Sequence, residues 1–315
     1  MNVVKSFITQ DGIGGLNTTT FKYEGFKIDR ERGSLGFAKI ETSNIISGTK
    51  TETITNFHQD YPFVGSAIDS KTYIDNKIAS EESSTLAVHL YYGNSILNMQ
   101  LHNSIKKEYD KNENLLSTVT TANTNFDKYG NIGTIENTTT SGSEVYKNTT
   151  HSIYDNYESN WILSRLKIAT VEHEAPNTLT PITKKSSFTY DDTTGTLKTE
   201  TIEPDTANKL LKKEYTYDGK GNKTVETVSG YQIPTTSSQT IYDAQGKNVV
   251  GVVNALGHSE SRIYDINNNV VKITGPNGLS TTFVYDAMGR KVEETSAHGI
   301  VTTWKHEWET ALTNV

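Results

Sequence analysis

Near its C-terminal end the sequence runs IYDINNNVVKITGPNGLSTTFV over residues 263–284, and a new Tyr-Asp pair follows directly. The pairs Tyr242-Asp243, Tyr264-Asp265 and Tyr285-Asp286 begin 22 and 21 residues apart. A second series, Gly257, Gly278 and Gly299, recurs every 21 residues. A double period of this kind is typical of a repeat protein, so the repeat and not the single residue is the unit to interpret.

Each period contains two turn signals. The Asp of the Tyr-Asp pair is suited to accept hydrogen bonds from backbone N–H groups two residues later, and a Gly or Asn three residues on supplies a positive φ. The residues in that position are Gly246, Asn268 or Asn269, and Gly289. The second turn is predicted at residues 254–257, 276–278 and 297–299, where Asn-Gly and Pro-Asn-Gly are strong turn formers.

The segments between the turns have the length and pattern of strands. The aromatic residues Phe283 and Tyr285 alternate with the β-branched residues Thr282 and Val284. This pattern predicts antiparallel strands of about five to seven residues with one apolar face and one hydrated face. We expect each repeat Tyr to pack over the neighbouring hairpin while its hydroxyl reaches water or a turn carbonyl. The alternative is a binding surface of exposed aromatic rings.

Further copies of the pattern lie upstream. Tyr217-Asp218 with Gly221 is a clean copy, Phe126-Asp127 and Tyr190-Asp191 are variants, and Tyr109-Asp110 and Tyr154-Asp155 are weaker because they lack the glycine. The pattern predicts a repeat array over residues 105–315. Its structural repeat residues are predicted to be Tyr217, Asp218, Gly221, Tyr242, Asp243, Gly246, Gly257, Tyr264, Asp265, Gly278, Tyr285, Asp286, Gly289 and Gly299.

As a set, these copies resemble the Rhs/YD repeats of bacterial polymorphic toxins, insecticidal toxin complexes and animal teneurins. Residues 21–37 (FKYEGFKIDRERGSLGF) and 58–65 (HQDYPFVG) are similar to the stretches that precede the repeats in the toxin-complex B component and in Salmonella virulence plasmid B-like proteins. Residues 1–104 are therefore interpreted as a β-rich region of that kind. The resemblance covers most of the chain, and the toxin-complex B component is the closer match.

The resemblance implies an all-β fold, an array of antiparallel β-hairpin YD repeats that forms a curved ribbon or partial shell. It implies a structural, non-catalytic role in sequestering or delivering a toxin. The expected partners are further YD-repeat sequence, toxin-complex subunits and an encapsulated toxin segment, and the expected location is secreted or extracellular. The sequence contains neither the self-cleavage signature of such shells nor a toxin domain. The alternative function is an extracellular adhesin or glycan-binding module.

Composition narrows the functional classes further. Hydrophobic residues make up 34% of the chain, which suits a thin sheet better than a thick core. There is no cysteine, which excludes disulfides and thiolate metal sites, and no visible signal peptide or membrane-length apolar run. A net charge of -7 argues against nucleic acid as a partner, because phosphate binding needs a basic surface.

Four groups of residues imitate chemical sites. Residues 257–261 lack the closing glycine of a hydrolase nucleophile elbow, and residues 219–224 lack the spacing of a phosphate loop. The loops after Asp110 and Asp265 lack the glycine and the bidentate Glu of a calcium loop. Neither His173 nor the group Trp304, His306 and Trp308 has the further ligands that a metal requires. We therefore predict no catalytic residue, no cofactor and no metal, and we expect the two Trp residues to close one end of the sheet.

Overall fold

The computed structural model describes residues 3–10, 15–46, 48–91 and 96–306. These residues form 24 β-strands and one short 3-10 helix, Glu158–Asn160, with no α-helix among them. No helix in this part of the chain is long and apolar enough to span a membrane. The structure divides into two compact units, residues 1–185 and residues 186–315.

The first unit is an antiparallel meander in which each strand pairs with the next, except that β2 pairs with β5 across a separate β3–β4 hairpin. The strands are β1 (Ser6–Gln10), β2 (Leu16–Glu24), β3 (Lys27–Asp29), β4 (Gly33–Gly36), β5 (Lys39–Ile46), β6 (Thr49–Phe57), β7 (Ala67–Ile74), β8 (Lys77–Tyr91), β9 (Ile96–Tyr109), β10 (Leu115–Thr124), β11 (Thr134–Ser141), β12 (Glu144–Tyr157) and β13 (Ile162–Glu174).

The second unit is also an antiparallel meander, built from shorter strands, in which each strand pairs with the next. The strands are β14 (Ile182–Tyr190), β15 (Leu197–Ile202), β16 (Leu211–Tyr217), β17 (Lys223–Gly230), β18 (Ile233–Tyr242), β19 (Val249–Val253), β20 (Ser259–Tyr264), β21 (Val270–Thr274), β22 (Ser280–Tyr285), β23 (Lys291–Thr295) and β24 (Val301–Thr303). The all-β prediction and the prediction of hairpin repeats are confirmed.

The predicted boundary at residue 105 falls inside strand β9. The division by compactness lies between residues 185 and 186 instead. The boundary at residue 105 marks the predicted start of the sequence repeat, whereas the boundary at residues 185 and 186 separates the two compact units. The assignment of residues 1–104 and 105–315 to two functional regions stays a prediction.

Very little of the chain is buried. Among the apolar side chains of the described residues, only Leu35 is buried, at 7% exposure. Along β22 the side chains of Phe283 and Tyr285 are half-buried, whereas Thr282 and Val284 are exposed. The face expected to be hydrated therefore carries an aliphatic side chain directly before several repeat Tyr residues, and Ile241, Ile263 and Val284 are 43%, 55% and 49% exposed. The predicted alternation of a half-buried and an exposed face is confirmed along β22, and the exposed face includes these aliphatic side chains.

Candidate functional site

The turns after the Tyr-Asp pairs of residues 217–286 share one recurring geometry, seen clearly at Asp218. The Asp218 N–H donates to the carbonyl of Asn222 at 3.0 Å, and the Gly221 N–H donates to the carbonyl of Asp218 at 3.1 Å. Gly221 has a φ of +87°. The Asp218 carboxylate also accepts the backbone N–H groups of Lys220 and Asn222, each at 2.9 Å. This is a three-residue hairpin loop with a glycine bulge, the arrangement that suits the right-handed twist of paired strands.

The other copies repeat these bonds with small changes. Asp265 and Asp286 each accept N–H groups two and four residues later, at 2.8 to 2.9 Å. The Asp243 loop is one residue longer, so the Asp243 N–H reaches the carbonyl of Asn248. Positive φ values occur at Gly246, Asn268 and Gly289. Asn268, and not Asn269, therefore holds the left-handed position that the sequence left open between them.

The turn at the opposite ends of the strands is built on the same plan. The N–H groups of Gly257, Gly278 and Gly299 donate to the carbonyls of Asn254, Gly275 and Ser296 at 2.9 to 3.0 Å. All three glycines have φ between +76° and +81°. The Asn254 side chain takes the role that Asp has at the other edge, because its Oδ1 accepts the N–H groups of Leu256 and His258.

The hydrogen bonds to the repeat carboxylates hold their pKa values below the usual range. The largest cause is the backbone N–H of Asn222 for Asp218, of Lys247 for Asp243 and of Arg290 for Asp286. For Asp265, the largest cause of the lowered pKa is the side-chain amide of Asn269. N–H donors favour the charged carboxylate, so each turn is built around an ionised Asp.

The residue that closes each turn, whose carbonyl accepts the Asp N–H, was not among the predicted site residues, although it has a consistent role. The side chains of Asn222, Asn248 and Asn269 donate to Oδ2 of their own repeat Asp at 2.9 to 3.1 Å. Arg290 replaces Asn in the last copy and donates through Nε to Asp286 at 2.8 Å. The recurrence of Asn at this position in the sequence was the available signal.

The same asparagines also connect successive turns. Asn222 Nδ2 donates to the carbonyl of Gly246 at 2.9 Å, and Asn248 Nδ2 donates to Oδ1 of Asn268 at 3.0 Å. Lys220 Nζ donates to the carbonyl of Ala244. A Cβ atom on Gly246 would collide with the Lys220 side chain and would lie 2.9 Å from Nδ2 of Asn222. Gly246 is therefore required both by its positive φ and by the close approach of the preceding turn.

The repeat Tyr hydroxyls donate to backbone carbonyls of the preceding strand. Tyr217 reaches Leu197, Tyr264 reaches Val249 and Tyr285 reaches Val270, at 2.9, 2.8 and 3.0 Å. Each acceptor is the first residue of that strand, directly after the previous turn. The half-buried hydroxyl of Tyr242 makes no hydrogen bond within the described residues. The three hydroxyls therefore each join a repeat Tyr to the strand before it.

The two weaker copies differ from each other. Tyr109-Asp110 forms the same turn, with Glu113 in the left-handed position at φ +65° where other copies have Gly or Asn. Tyr154-Asp155 forms no turn, because both residues lie inside β12 and Asp155 pairs with Arg165 at 2.6 Å. Reading the latter as a repeat copy was wrong, since the dipeptide alone does not specify a turn without its downstream partners.

The groups that imitate chemical sites take structural positions. His258 lies in the Asn254 turn, and residues 219–222 form the Asp218 turn. His306 contacts the carbonyl of Lys291, and Lys291 Nζ lies 4.2 Å from the Trp304 ring centre. Trp308 lies outside the described residues. In the part of the chain that the structure describes, no three His, Cys, Asp or Glu side chains cluster as a metal site would require.

The two N-terminal stretches that carry the family resemblance contact each other. Gln59 Nε2 donates to the carbonyls of Gly25 and Gly36 at 2.6 and 2.9 Å. The Arg32 guanidinium lies 3.7 Å from the centre of the Tyr61 ring. Residues 21–37 and 58–65 are therefore parts of one local structure around the β3–β4 hairpin.

Comparison with known proteins agrees with this geometry. A family model described as the RHS repeat matches residues 264–301, and no curated protein matches the chain. A crystal structure of TcdB2-TccC3 without its hypervariable C-terminal region is similar at a TM-score of 0.71 and 12% identity, over 93% of this chain and 22% of that one. A crystal structure of TcdB2-TccC3-Cdc42 is similar at a TM-score of 0.70 and 12% identity, over 93% and 22%.

The Tc holotoxin pore of Photorhabdus luminescens is also similar, with a TM-score of 0.69 and 11% identity over 92% of this chain and 22% of that one. The chain thus spans about a fifth of the length of these structures. The matched repeat begins at Tyr264, whose hydroxyl donates to the carbonyl of Val249. Asp265, the next residue, accepts the N–H groups of the turn. The chain therefore contains an RHS repeat at residues 264–301 and has the β-sheet fold of the TcdB2-TccC3 structures.

Proposed function

We propose that the chain is a structural segment of a toxin-encapsulating shell and that it has no catalytic activity of its own. In this role its hairpins form part of a wall that sequesters or delivers a toxin segment. The protein would act outside the producing cell, as part of a secreted toxin complex. The repeat Tyr, Asp and Gly residues would serve to position the hairpins and would not contact a substrate.

The observation that carries this proposal is the exposure of apolar side chains on a sheet with almost no core. Ile241, Ile263 and Val284 recur at the repeat period and are 43%, 55% and 49% exposed. Extended exposed apolar surface marks a site that another polypeptide covers, and a side chain exposed once in each repeat extends such a surface along the sheet. A wall that borders an enclosed polypeptide meets this condition, whereas an enzyme would need a pocket with converging polar groups.

The sheet edges support the same proposal. Within the described residues, β1 pairs with β2 alone and β24 pairs with β23 alone. Each leaves one row of backbone N–H and C=O groups without a strand partner, which favours pairing with another strand. Further YD-repeat sequence or a toxin-complex subunit is the proposed partner at these edges.

Size-exclusion chromatography with light scattering tests the edge pairing, with a second copy of the chain as the source of further repeat sequence. We expect concentration-dependent oligomers or poor solubility. Ile8→Lys on β1 and Val301→Lys on β24 place a charge on the edge strands and should reduce association. Ile266→Lys is the matched control, because Ile266 is 96% exposed in a turn and away from either edge strand. A chain that stays monomeric at all concentrations would contradict the proposal, and specific binding to a glycan array would favour the adhesin alternative.

A further inference from the structure

Two histidines meet on the longest hairpin of the first unit. His89 lies on β8 and His102 on β9, and their Nε2 atoms are 3.3 Å apart. The ring centres are 5.6 Å apart and the ring planes differ by 11°. The distance between the ring centres exceeds the distance between the Nε2 atoms by 5.6 − 3.3, or about 2.3 Å. This excess is twice the distance from the centre of an imidazole ring to its own nitrogen, so both ring centres and both Nε2 atoms lie close to one line. The two Nε2 atoms therefore point directly at each other.

This head-on geometry is that of an N–H···N hydrogen bond. One Nε2 must carry a proton and the other must accept it, since a neutral imidazole has one donor and one acceptor nitrogen. A tetrahedral metal ion would bind each nitrogen at about 2.0 to 2.1 Å and bend the rings toward each other, which would bring their centres closer. Among the described residues no third His, Cys, Asp or Glu side chain joins the pair to complete a metal site, so the shared species is taken to be a proton.

A β-bulge sets His102 outside the regular pairing of β8 and β9. Thr85 pairs with Asn103 and Leu86 pairs with Leu101, so His102 is the extra residue on β9. The Phe126 ring, directly before the Asp127 turn, lies 5.4 Å from His89 and 5.1 Å from His102 between ring centres. The apolar ring and the partly buried position limit the access of water that would otherwise separate two charged imidazoles.

The charged side chains of the strands that carry the pair are distant from it along the chain. The other titratable side chains of β8 that the structure describes lie seven or more residues before His89, and they are Lys77, Glu81 and Glu82. Those of β9 lie four or more residues after His102, and they are Lys106, Lys107, Glu108 and Tyr109. Strand β10 has none. Asp127 of the adjoining turn is engaged by the N–H groups of Tyr129 and Asn131. No Asp or Glu of β8, β9 or β10 lies within five residues of either histidine along the chain.

We propose that His89 and His102 form an acid-sensitive latch that holds residues 86–90 of β8 and 97–102 of β9 in register, and that releases this latch segment when both imidazoles are protonated. Imidazole is the side chain that changes charge between about pH 5 and 8. The first proton is shared along the N–H···N bond. The second would place two N–H groups head to head, so the rings must separate. The proposal is independent of the shell function, since it concerns one hairpin of the chain.

Hydrogen exchange of the full chain, corrected for the intrinsic pH dependence of exchange, tests the latch. Between about pH 7.5 and about pH 5.5 we expect amide protection in the latch segment to fall about tenfold or more, because only the released segment can hold a proton on both Nε2 atoms without two N–H groups meeting head to head. His102→Gln and His89→Gln should each remove this pH dependence. His258→Gln is the matched control in an exposed turn and should retain it.

A loss of protection that is equal in the wild type and in both Gln variants would overturn the proposal, as would a wild type without any pH dependence. If either variant fails to fold by circular dichroism, nitrogen NMR of the wild-type imidazoles decides. At neutral pH we expect one protonated and one unprotonated Nε2 in the pair. Two protonated Nε2 atoms, or two unprotonated ones, would contradict the shared proton.

Discussion

Two hairpins that close with the same turn differ greatly in length. In the repeats of the second unit, β20 and β21 have 6 and 5 residues and are joined by the Asp265 turn. In the first unit, β9 and β10 have 14 and 10 residues and are joined by the Asp110 turn, with equivalent bonds to the carboxylate. The Asp turn therefore determines where a hairpin closes and leaves strand length to the rest of the sequence.

The two regions also differ in how one turn contacts the next. In the second unit the connection is made by the Asn that follows the turn, as Asn222 and Asn248 show. In the first unit the Asp110 turn is held from the β7–β8 turn instead, where Lys77 Nζ donates to the carbonyl of Lys111 and the Ile78 N–H donates to Glu113 Oε1. Where the sequence is periodic, the same Asn side chain connects one turn to the next. Where the sequence is irregular, different side chains make the contact between turns.

Acid should produce the largest effect, because it acts on every copy of the turn at once. The folded pKa of Asp110, Asp218, Asp243, Asp265 and Asp286 is lowered, chiefly by N–H donors. A lowered pKa contributes stability that is complete above the unfolded value of about 3.9 and is lost as pH falls through the folded value. We therefore expect the urea midpoint to be level near neutrality and to fall steeply below about pH 4.

The variant Asp265→Asn sharpens this prediction. It should lower the midpoint at neutral pH and reduce the acid dependence, because one charged acceptor of N–H groups is removed. An unchanged acid profile in this variant would mean that the carboxylates contribute nothing through their charge. A midpoint that rises on acidification would reverse the expected sign.

Local turn chemistry is what the sequence revealed best. The Asp and Gly spacing predicted the strands and loops of residues 242–303, because these bonds join residues two to five apart. The connections between turns could not be predicted in this way, since the approach of Gly246 to Asn222 depends on the stagger of strands 24 residues apart. The spacing also could not show that Tyr154-Asp155 lies inside a strand or that His89 meets His102. Both features depend on cross-strand partners and bulges.

Gly246→Ala compared with Gly257→Ala separates backbone strain from contact between turns. Both glycines have positive φ, +71° and +81°, so both variants lose about 1 kcal/mol of unfolding free energy from left-handed strain. Only at Gly246 does the new Cβ meet the preceding turn, whereas nothing lies within 4 Å at Gly257. We expect a total loss of about 2 kcal/mol at Gly246, measured by urea denaturation, because the Lys220 and Asn222 side chains must move and lose their bonds to this turn. Equal losses would mean that the turns do not support each other.

Asn222→Ala compared with Asn114→Ala tests the difference between the two units. Asn222 donates to its own Asp218 and to the next turn, whereas the Asn114 side chain bonds only its own Asp110. We expect a loss of about 1.5 kcal/mol for Asn222 and about 0.5 kcal/mol for the more exposed Asn114. Urea denaturation of both variants under the same conditions gives the comparison. A larger loss at Asn114 would place the stronger connection in the irregular region and reverse the argument.

Tyr264→Phe compared with Tyr242→Phe isolates the hydroxyl from the ring and should give the smallest effect. Tyr264 donates to Val249 at 2.8 Å, and its removal leaves a carbonyl without that donor, at a cost of about 1 kcal/mol. Tyr242 keeps a half-buried ring, and its hydroxyl makes no hydrogen bond within the described residues, so its loss should be close to zero. Differential scanning calorimetry resolves the two values. Equal losses would assign the recurring Tyr to ring packing alone, and the hydroxyl contact with the preceding strand would then have no part in aligning the hairpins.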